Sequence, residues 1–200
     1  MDKKRFKAIL KKTWWFIWED NSIWSWLVNI ILAFVLIKFI VYPGLGFLLG
    51  TSYPIVAVVS SSMEHDGNFN NWWTSQEKWY LEHDISKNQF ANFGFKNGFN
   101  KGDIMVLYGK KPDKIEIGGV IVFKSKRPDP IIHRVVKKWE LDGEYYFQTK
   151  GDHNVDSIRS TSLDETNINE EQYLGKAVIR IPLLGYIKIW FVELIKLFVR

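Results

Sequence analysis

The chain has 200 residues, a formal net charge of +5, ten tryptophans and no cysteine. This length fits one domain of ordinary size together with a membrane segment. The lack of cysteine excludes disulfides, thiol catalysis and thiolate metal sites, so covalent catalysis would need a hydroxyl, an amine or a carboxylate. The charge does not indicate a nucleic-acid partner, because six of the basic residues crowd the first dozen positions, directly before an apolar segment.

The N-terminal part of the chain is typical of a membrane anchor. Basic and aromatic residues alternate over residues 1–20, and residues 23–41 are nearly all apolar, about the length that crosses a hydrocarbon core. Pro43 and Gly44 predict the end of this helix. A cleaved signal peptide is the competing interpretation, but the apolar run is long and no clear Ala-x-Ala follows it. We therefore predict an uncleaved anchor at residues 21–43 in the cell membrane, with the N-terminus cytoplasmic and the rest extracytoplasmic.

The next part of the chain joins a strand to an unusual insertion. Residues 53–59 predict a buried strand, and three successive serines, residues 60–62, follow it. Residues 64–100, called the aromatic insertion below, are rich in Asn, Gly and aromatic residues and predict a short helix from about residue 71 to 83. Two interpretations are open. The aromatic insertion either caps the core, or enters the membrane interface and lines the approach to Ser62.

The remaining chain has a β pattern. Short runs rich in Val, Ile and aromatic residues predict strands at residues 104–108, 115–124, 131–139, 144–150 and 173–181, with an Asp142-Gly143 hairpin turn. Their spacing predicts a mainly β fold, a coiled antiparallel sheet or partly closed barrel. Residues 157–172 predict a surface loop, and residues 183–200 an amphipathic or membrane helix. The predicted divisions are a cytoplasmic segment (1–20), the anchor (21–43), one extracytoplasmic domain (44–182) and a C-terminal helix (183–200).

Three kinds of side chain could together perform nucleophilic chemistry. Ser62 has a hydroxyl, which is a weak nucleophile and needs an adjacent base. Among four histidines, His133 stands out because it interrupts a β-branched strand, although a histidine there could simply face solvent. Asp152 and Asp156 follow the strand at residues 144–150, and a carboxylate can hold an imidazole in the required tautomer. An ordinary Asp/Gly turn has the same composition.

In chain order these residues resemble the type I signal peptidases, specifically their archaeal and endoplasmic-reticulum branch. The family has an N-terminal anchor followed by a Ser-x-Ser-Met step, a Gly-Asp step, a His-Arg-Val step and a Lys-Gly-Asp turn. The corresponding residues here are Ser60-Ser61-Ser62-Met63, Gly102-Asp103-Ile104, His133-Arg134-Val135 and residues 150–156. The resemblance extends from about residue 20 to residue 190.

The resemblance implies a role for each of five residues. Ser62 would be the acylating nucleophile, and Ser60 would lend an oxyanion-hole donor beside the Ser62 backbone N–H. His133 would be the general base. Asp156 would pair with His133 while Asp152 orders the turn, but this division stays open because the usual gap between the two carboxylates is longer. A lysine base, Lys150 or Lys137, is the alternative to histidine.

The function implied by the resemblance is that of a membrane-bound serine endopeptidase, which removes signal peptides from exported preproteins. Signal peptides, membrane lipid and the secretion translocon are the expected partners, and no cofactor or metal is expected. The alternative function is a non-catalytic, membrane-anchored β domain that binds an exported partner through the aromatic insertion. That insertion is the main departure from the family, since most relatives pass from Ser-Met to Gly-Asp in far fewer residues.

Overall fold

A computed structural model describes residues 2–198, so the first residue and the last two residues of the predicted divisions lie outside the described part. The chain divides into two compact units, Met1–Leu48 and Leu49–Arg200. The first unit is helical. Its elements are α1 (Lys3–Trp18), α2 (Ile23–Leu36) and a π-helical segment (Ile37–Val41), and α3 (Tyr42–Leu49) continues the helix into the second unit.

The helix from Ile23 to Leu49 is 27 residues long and apolar enough to cross a membrane. At about 1.5 Å per residue it extends roughly 40 Å, which exceeds a hydrocarbon core of about 30 Å. The predicted stop at Pro43 is wrong, because α3 continues to Leu49. In the π-helical segment the Tyr42 N–H bonds to the carbonyl of Ile37, five residues back. This wider turn makes room for the proline ring, which would collide with the preceding turn of a regular α-helix.

The second unit is built on one antiparallel sheet of seven strands, curled into a half-barrel, which confirms the predicted mainly β fold. The strands are β1 (Ile55–Ala57), β2 (Ile104–Tyr108), β3 (Val120–Phe123), β4 (Ile131–Leu141), β5 (Glu144–Lys150), β6 (Ile168–Asn169) and β7 (Tyr173–Ile181). Their order across the sheet is β1-β2-β7-β3-β4-β5-β6. The bounds of β2, β5 and β7 are those predicted.

The other four strands differ from the prediction in length or place. Strands β1 and β3 are shorter than predicted, and β3 begins only after Gly118, whose φ of +85° turns the chain. Strand β4 extends to Leu141, where the predicted hairpin is confirmed. Asp142 and Gly143 both have positive φ, 53° and 84°, as a two-residue type I′ turn requires. Strand β6 lies within residues 157–172, so the prediction of a plain surface loop there is wrong.

The sheet has apolar clusters on both faces at β3, because alternate residues of a strand point in opposite directions. Val120 and Val122 belong to one cluster, while Ile121 and Phe123 belong to the other. Each cluster collects residues from several strands and loops. The first also contains Val58, Met63, Phe99, Met105, Leu107, Ile132 and Ala177. The second also contains Ile115, Val135, Phe147, Leu163 and Ile168.

The aromatic insertion folds as a small helical layer with its own core. Helix α4 (Phe69–Glu82) confirms the predicted helix. Asn68 caps its N-terminus, with a side chain that accepts from the Asn71 N–H. A short helix α5 (Lys87–Phe90) follows. The largest aromatic side chains turn inward rather than outward, which favours the capping interpretation. The buried cluster comprises Trp72, Trp73, Tyr80, Ile85 and Phe90, together with Val136 of β4.

The chain ends in helix α6 (Tyr186–Phe198), as the sequence predicts for its C-terminal segment. The turn before it is held by the Gly-Asp step. The Gly102 carbonyl accepts from the Gly185 N–H at 2.8 Å, and an Asp103 carboxylate oxygen accepts from the Leu183 N–H at 3.1 Å. Association of α6 with a membrane stays a prediction.

Candidate active site

Ser62 lies in a turn that β1 and the Gly-Asp step hold in place. Immediately before the serines, the Val58 carbonyl accepts from the Gly102 N–H at 2.8 Å, and the Val58 N–H donates to the Asp103 carbonyl at 2.9 Å. The chain then turns, with the Glu64 N–H donating to the Ser61 carbonyl at 3.0 Å. The half-buried Ser62 side chain is thereby presented at the end of a well-anchored strand.

His133 meets Ser62 from strand β4. Its Nε2 atom lies 2.8 Å from Ser62 Oγ, a hydrogen-bonding distance. The residue is only 3% exposed, and its backbone pairs with Ile121 in the middle of the sheet. The structure thus brings together the two residues that the sequence predicted as nucleophile and base.

The other ring nitrogen of His133 meets a residue that the sequence reasoning missed. His133 Nδ1 is hydrogen-bonded to the carboxylate of Glu165, which is completely buried. The same carboxylate accepts from the Thr149 hydroxyl at 2.9 Å and from the Ile158 N–H at 2.8 Å. Because a carboxylate is an acceptor, it favours the tautomer with the proton on Nδ1, which leaves Nε2 free to accept from the Ser62 hydroxyl.

Glu165 lies in the stretch predicted as a surface loop. The available signal in the sequence was the apolar pair around it, Leu163 and Ile168, in an otherwise polar region. Both apolar side chains are buried, at 2% and 0% exposure, in the same cluster as Phe147 of β5, and Ile168 pairs with Phe147 in the sheet. Glu165 is thus delivered to His133 by the packing of its neighbours.

The structure places Asp152 in a different network from the one around His133. Arg134 binds its carboxylate with two parallel hydrogen bonds of 2.8 and 2.7 Å, and the Tyr80 hydroxyl and His65 Nε2 approach it at 3.2 and 3.0 Å. Burial by itself would raise the pKa of Asp152, but the charge and hydrogen bonds of Arg134, with His65, hold that pKa well below its usual range. Arg134 follows His133 on a strand, so the two side chains point to opposite faces.

Asp156 is likewise engaged away from His133. It is exposed, and its Oδ1 accepts from Trp79 Nε1 at 2.8 Å and from the Ser157 N–H at 2.6 Å. The expected pairing of His133 with Asp156 is therefore not the one in the structure, which has Glu165 at that position. The tight turn after β5 directs both aspartates toward the aromatic insertion.

The turn after β5 also presses its backbone against the site. A Cβ at Gly151 would lie 2.7 Å from the Ser62 carbonyl oxygen and 2.9 Å from His133 Nε2, closer than real Cβ atoms approach. The His153 N–H donates to the same Ser62 carbonyl at 2.9 Å. Ser60 Oγ lies 3.2 Å from Ser62 Oγ. Only glycine fits at residue 151 without displacing the Ser62 and His133 pair.

The lysines considered as alternative bases lie elsewhere. Lys150 Nζ donates to Gln76 Oε1 at 2.9 Å and stands 5.0 Å from the ring centres of both Trp79 and Tyr80. Its burial lowers its pKa to about 8. Lys137 is exposed and lies over the Trp139 ring. In the described part of the chain, the base at hydrogen-bonding distance from Ser62 is therefore a histidine.

A cleft of about 400 Å³ opens beside Ser62 and His133. Its walls are mostly apolar, and two of them, Ala57 and Val59, come from the strand run that leads to the serines. The other lining residues are Ser60, Arg127, Pro128, Asp129, Pro130, Ile131, Ile132, Asn154 and Ile158. Residues 2–198 contain no group of three or more His, Asp or Glu side chains arranged to hold a metal ion. The cleft can hold an extended apolar segment beside the Ser62 hydroxyl.

No family model matches the chain. The signal peptidase complex catalytic subunit SEC11C of Homo sapiens is 30% identical over 152 residues, which cover 74% of this chain and 62% of that protein, and its counterpart in Canis lupus familiaris matches equally. The chain thus spans under two thirds of the length of these relatives. The signal peptidase complex catalytic subunit SEC11 of Pyricularia oryzae is 26% identical over 158 residues, covering 78% of this chain and 73% of that protein. The chain is therefore a homologue of proteins named as signal peptidase complex catalytic subunits.

Proposed function

We propose that this protein is a membrane-bound serine endopeptidase that cleaves signal peptides from exported preproteins. The observation that carries the proposal is the chain of contacts from Ser62 Oγ through His133 to the buried Glu165 carboxylate. Nucleophile, base and orienting carboxylate are the three groups that serine acyl transfer needs. The relatives, which are named as catalytic subunits of a signal peptidase complex, supply the substrate class.

The proposed reaction begins with transfer of the Ser62 hydroxyl proton to His133 Nε2 as the oxygen attacks the scissile carbonyl carbon. Glu165 stabilises the imidazolium that forms and keeps the ring in place. His133 then returns the proton to the leaving amine, which leaves an acyl-enzyme on Ser62. In the second half, a water gives a proton to His133 as its oxygen attacks the ester carbon. His133 then returns this proton to Ser62 Oγ as the ester bond breaks, and the cleaved signal peptide leaves with a free carboxyl group.

Charge develops on the carbonyl oxygen in both halves of the reaction, and donors must be aimed at that position. We assign this role to the Ser62 backbone N–H and the Ser60 hydroxyl, which lies 3.2 Å from Ser62 Oγ. Removal of one such donor typically costs about a hundred- to thousandfold in rate. Asp152 and Asp156 are proposed as supports of the turn that packs against Ser62.

The cleft indicates the class of substrate, and the apolar helix indicates where the protein would act. The apolar cleft at Ala57 and Val59 would accept the small side chains that precede a signal-peptide cut. The helix Ile23–Leu49 would hold the protein in the cell membrane, with the basic N-terminal segment cytoplasmic and the sheet domain outside. Membrane lipid is then a partner, and the secretion translocon, which delivers preproteins, is proposed as another.

The test uses the full chain in detergent with a purified preprotein and reads the products by intact mass. The wild-type protein should release the mature protein at one site. Ser62→Ala should lower the rate at least about ten-thousandfold. Ser61→Ala is the matched control, because Ser61 is the exposed neighbour and should leave the rate unchanged. Cleavage by Ser62→Ala at the wild-type rate would refute the nucleophile. A wild-type protein that binds the preprotein but never cuts it would favour a non-catalytic binding domain.

A further inference from the structure

The aromatic insertion begins and ends beside the nucleophile. Met63, the residue after Ser62, accepts at its carbonyl from the Phe99 N–H at 3.0 Å, so the chain leaves the site at residue 64 and returns to the same point. Gly98 makes this closure possible. It has a φ of +66°, and a Cβ there would lie 2.3 Å from the Met63 carbonyl oxygen. The two ends of the aromatic insertion therefore lie side by side, next to Ser62.

Three residues on one face of helix α4 bind the end of β5 and the turn that follows it. Trp72 Nε1 donates to the Asp152 carbonyl at 3.1 Å. Gln76 Oε1 accepts from Lys150 Nζ at 2.9 Å. Trp79 Nε1 donates to Asp156 Oδ1 at 2.8 Å. The three helix residues are four and three positions apart, the spacing that puts side chains on one helix face. They therefore bind Lys150 at the end of β5 and residues 152 and 156 of the turn at the same time.

The bond from Trp72 is linked to Ser62 through a single peptide group. That group joins Asp152 to His153. Its carbonyl accepts from the Trp72 indole, and its N–H donates to the Ser62 carbonyl at 2.9 Å. Because a peptide group is planar and rigid, fixing the direction of its carbonyl also fixes the direction of its N–H. The indole thus orients the donor that holds the Ser62 backbone.

We propose that the aromatic insertion positions the nucleophile, and that Trp72 is its principal positioning residue for the reaction proposed above. Helix α4 holds the turn, and the turn holds the Ser62 carbonyl and packs Gly151 against His133 Nε2. Gln76 and Trp79 support the same turn at its two ends. Trp72 lies outside the set of residues that line the cleft. The insertion would therefore set the rate of the chemical step and leave substrate binding to the cleft.

The competing interpretation is that the insertion only covers the core and contributes stability. A matched pair of variants separates the two. Trp72→Phe removes the indole bond to the turn but keeps a ring in the buried cluster. Trp73→Phe makes the same chemical change one residue along, where the indole donates to Glu77 within the helix at 3.0 Å and the side chain is equally buried. The two variants should lose similar stability, and Trp72→Phe alone should lose function.

In the preprotein assay we expect Trp72→Phe to lower kcat about tenfold with KM unchanged, because small displacements of reacting groups are costly. Trp73→Phe should keep the wild-type kcat. Equal kcat values in the two variants would overturn the proposal, as would a loss in Trp72→Phe confined to KM. If the wild-type protein itself does not cut, the proposed function fails, and the positioning is then judged from hydrogen exchange alone.

Hydrogen exchange read by mass spectrometry gives a measure that does not depend on activity. Trp72→Phe should speed exchange in the peptides that contain residues 150–156 and 58–63, whereas Trp73→Phe should not. Unchanged exchange in both segments would contradict the proposal.

If Trp72→Phe does not fold, the Gln76→Ala variant tests the proposal instead. It should lower kcat about threefold, and Gln76→Glu, which keeps an acceptor for Lys150, should restore it. A Gln76→Ala variant with wild-type kcat and exchange would then count against the positioning role.

Discussion

Two buried histidine–carboxylate pairs lie in this protein, and they have opposite surroundings. His133 contacts Glu165, and its second nitrogen lies 2.8 Å from Ser62 Oγ. His65 contacts Asp152 at 3.0 Å, and its second nitrogen is buried without a hydrogen-bond partner in the described structure. The His65 ring is instead stacked on Trp72, with ring centres 3.7 Å apart. His133 faces the Ser62 hydroxyl, and His65 is enclosed by aromatic rings.

The two carboxylates differ as much as the two histidines. Asp152 is bound by the Arg134 guanidinium, which neutralises its charge within the core. Glu165 takes its hydrogen bonds from His133, a hydroxyl and a backbone N–H, so its charge stays available to a protonated imidazole. A histidine beside a buried carboxylate is therefore no sufficient sign of catalysis. The direction of the second ring nitrogen and the other partners of the carboxylate distinguish the two regions.

The largest expected effect comes from replacing each histidine by glutamine. His133→Gln removes the base and should lower the rate of preprotein cleavage about ten-thousandfold. His65→Gln keeps a donor for Asp152 and should change the rate less than about tenfold, while lowering the melting temperature. Initial rates and thermal unfolding of both variants in detergent measure the contrast. Similar losses of rate in the two variants would remove the functional difference between the pairs.

The next effect concerns which carboxylate serves His133. Glu165→Gln keeps the shape but lacks the charge that stabilises the imidazolium, so kcat should fall about a thousandfold. Asp156→Asn keeps an acceptor for Trp79 and should change kcat less than about tenfold. Single-turnover rates on one preprotein compare them. A larger loss in Asp156→Asn than in Glu165→Gln would restore the pairing that the sequence motif implied.

The smallest of the three effects is on stability and depends on pH. Asp152→Asn leaves the buried Arg134 charge without its partner and should reduce the free energy of unfolding by about 3 kcal/mol at pH 7. The pKa of Asp152 is lowered in the folded state, because the interaction with Arg134 outweighs the opposite effect of burial. Its carboxylate therefore stabilises the fold above its unfolded pKa of about 4. That contribution is lost progressively as the pH falls from this value through the lowered pKa of the folded state.

The difference between wild type and Asp152→Asn should accordingly narrow below about pH 4. Denaturant unfolding in detergent at pH 7 and at pH 3 measures it. If the difference in unfolding free energy between wild type and Asp152→Asn is the same at pH 7 and pH 3, or larger at pH 3, then Asp152 is not held as a carboxylate by Arg134. The exposed Asp156→Asn variant is the control, and its stability should differ little from wild type at either pH.

Local sequence pattern was enough for much of the sheet and for the first two members of the site. Strands β2, β5 and β7 and the Asp142-Gly143 turn follow from β-branched runs and turn residues, which act over a few positions. Ser62 and His133 were recognised from the order of motifs along the chain. The prediction that the helix stops at Pro43 was wrong for a local reason. A π-helical turn just before the proline lets the helix continue past a residue that normally ends one.

The sequence by itself determined the anchor-like helix, the mainly β fold and the pairing of a serine with a histidine. Only the tertiary structure decided that Glu165 meets His133, and that Asp152 and Asp156 belong to the turn bound by helix α4. The physical reason is that His133 and Arg134 alternate across β4, so the two faces of one strand select different carboxylates. Glu165 reaches its face because Leu163 and Ile168, on either side of it, are buried in the cluster that contains Phe147 of β5. Contacts of this kind join residues that are far apart in the chain, so no regular spacing in the sequence indicates them.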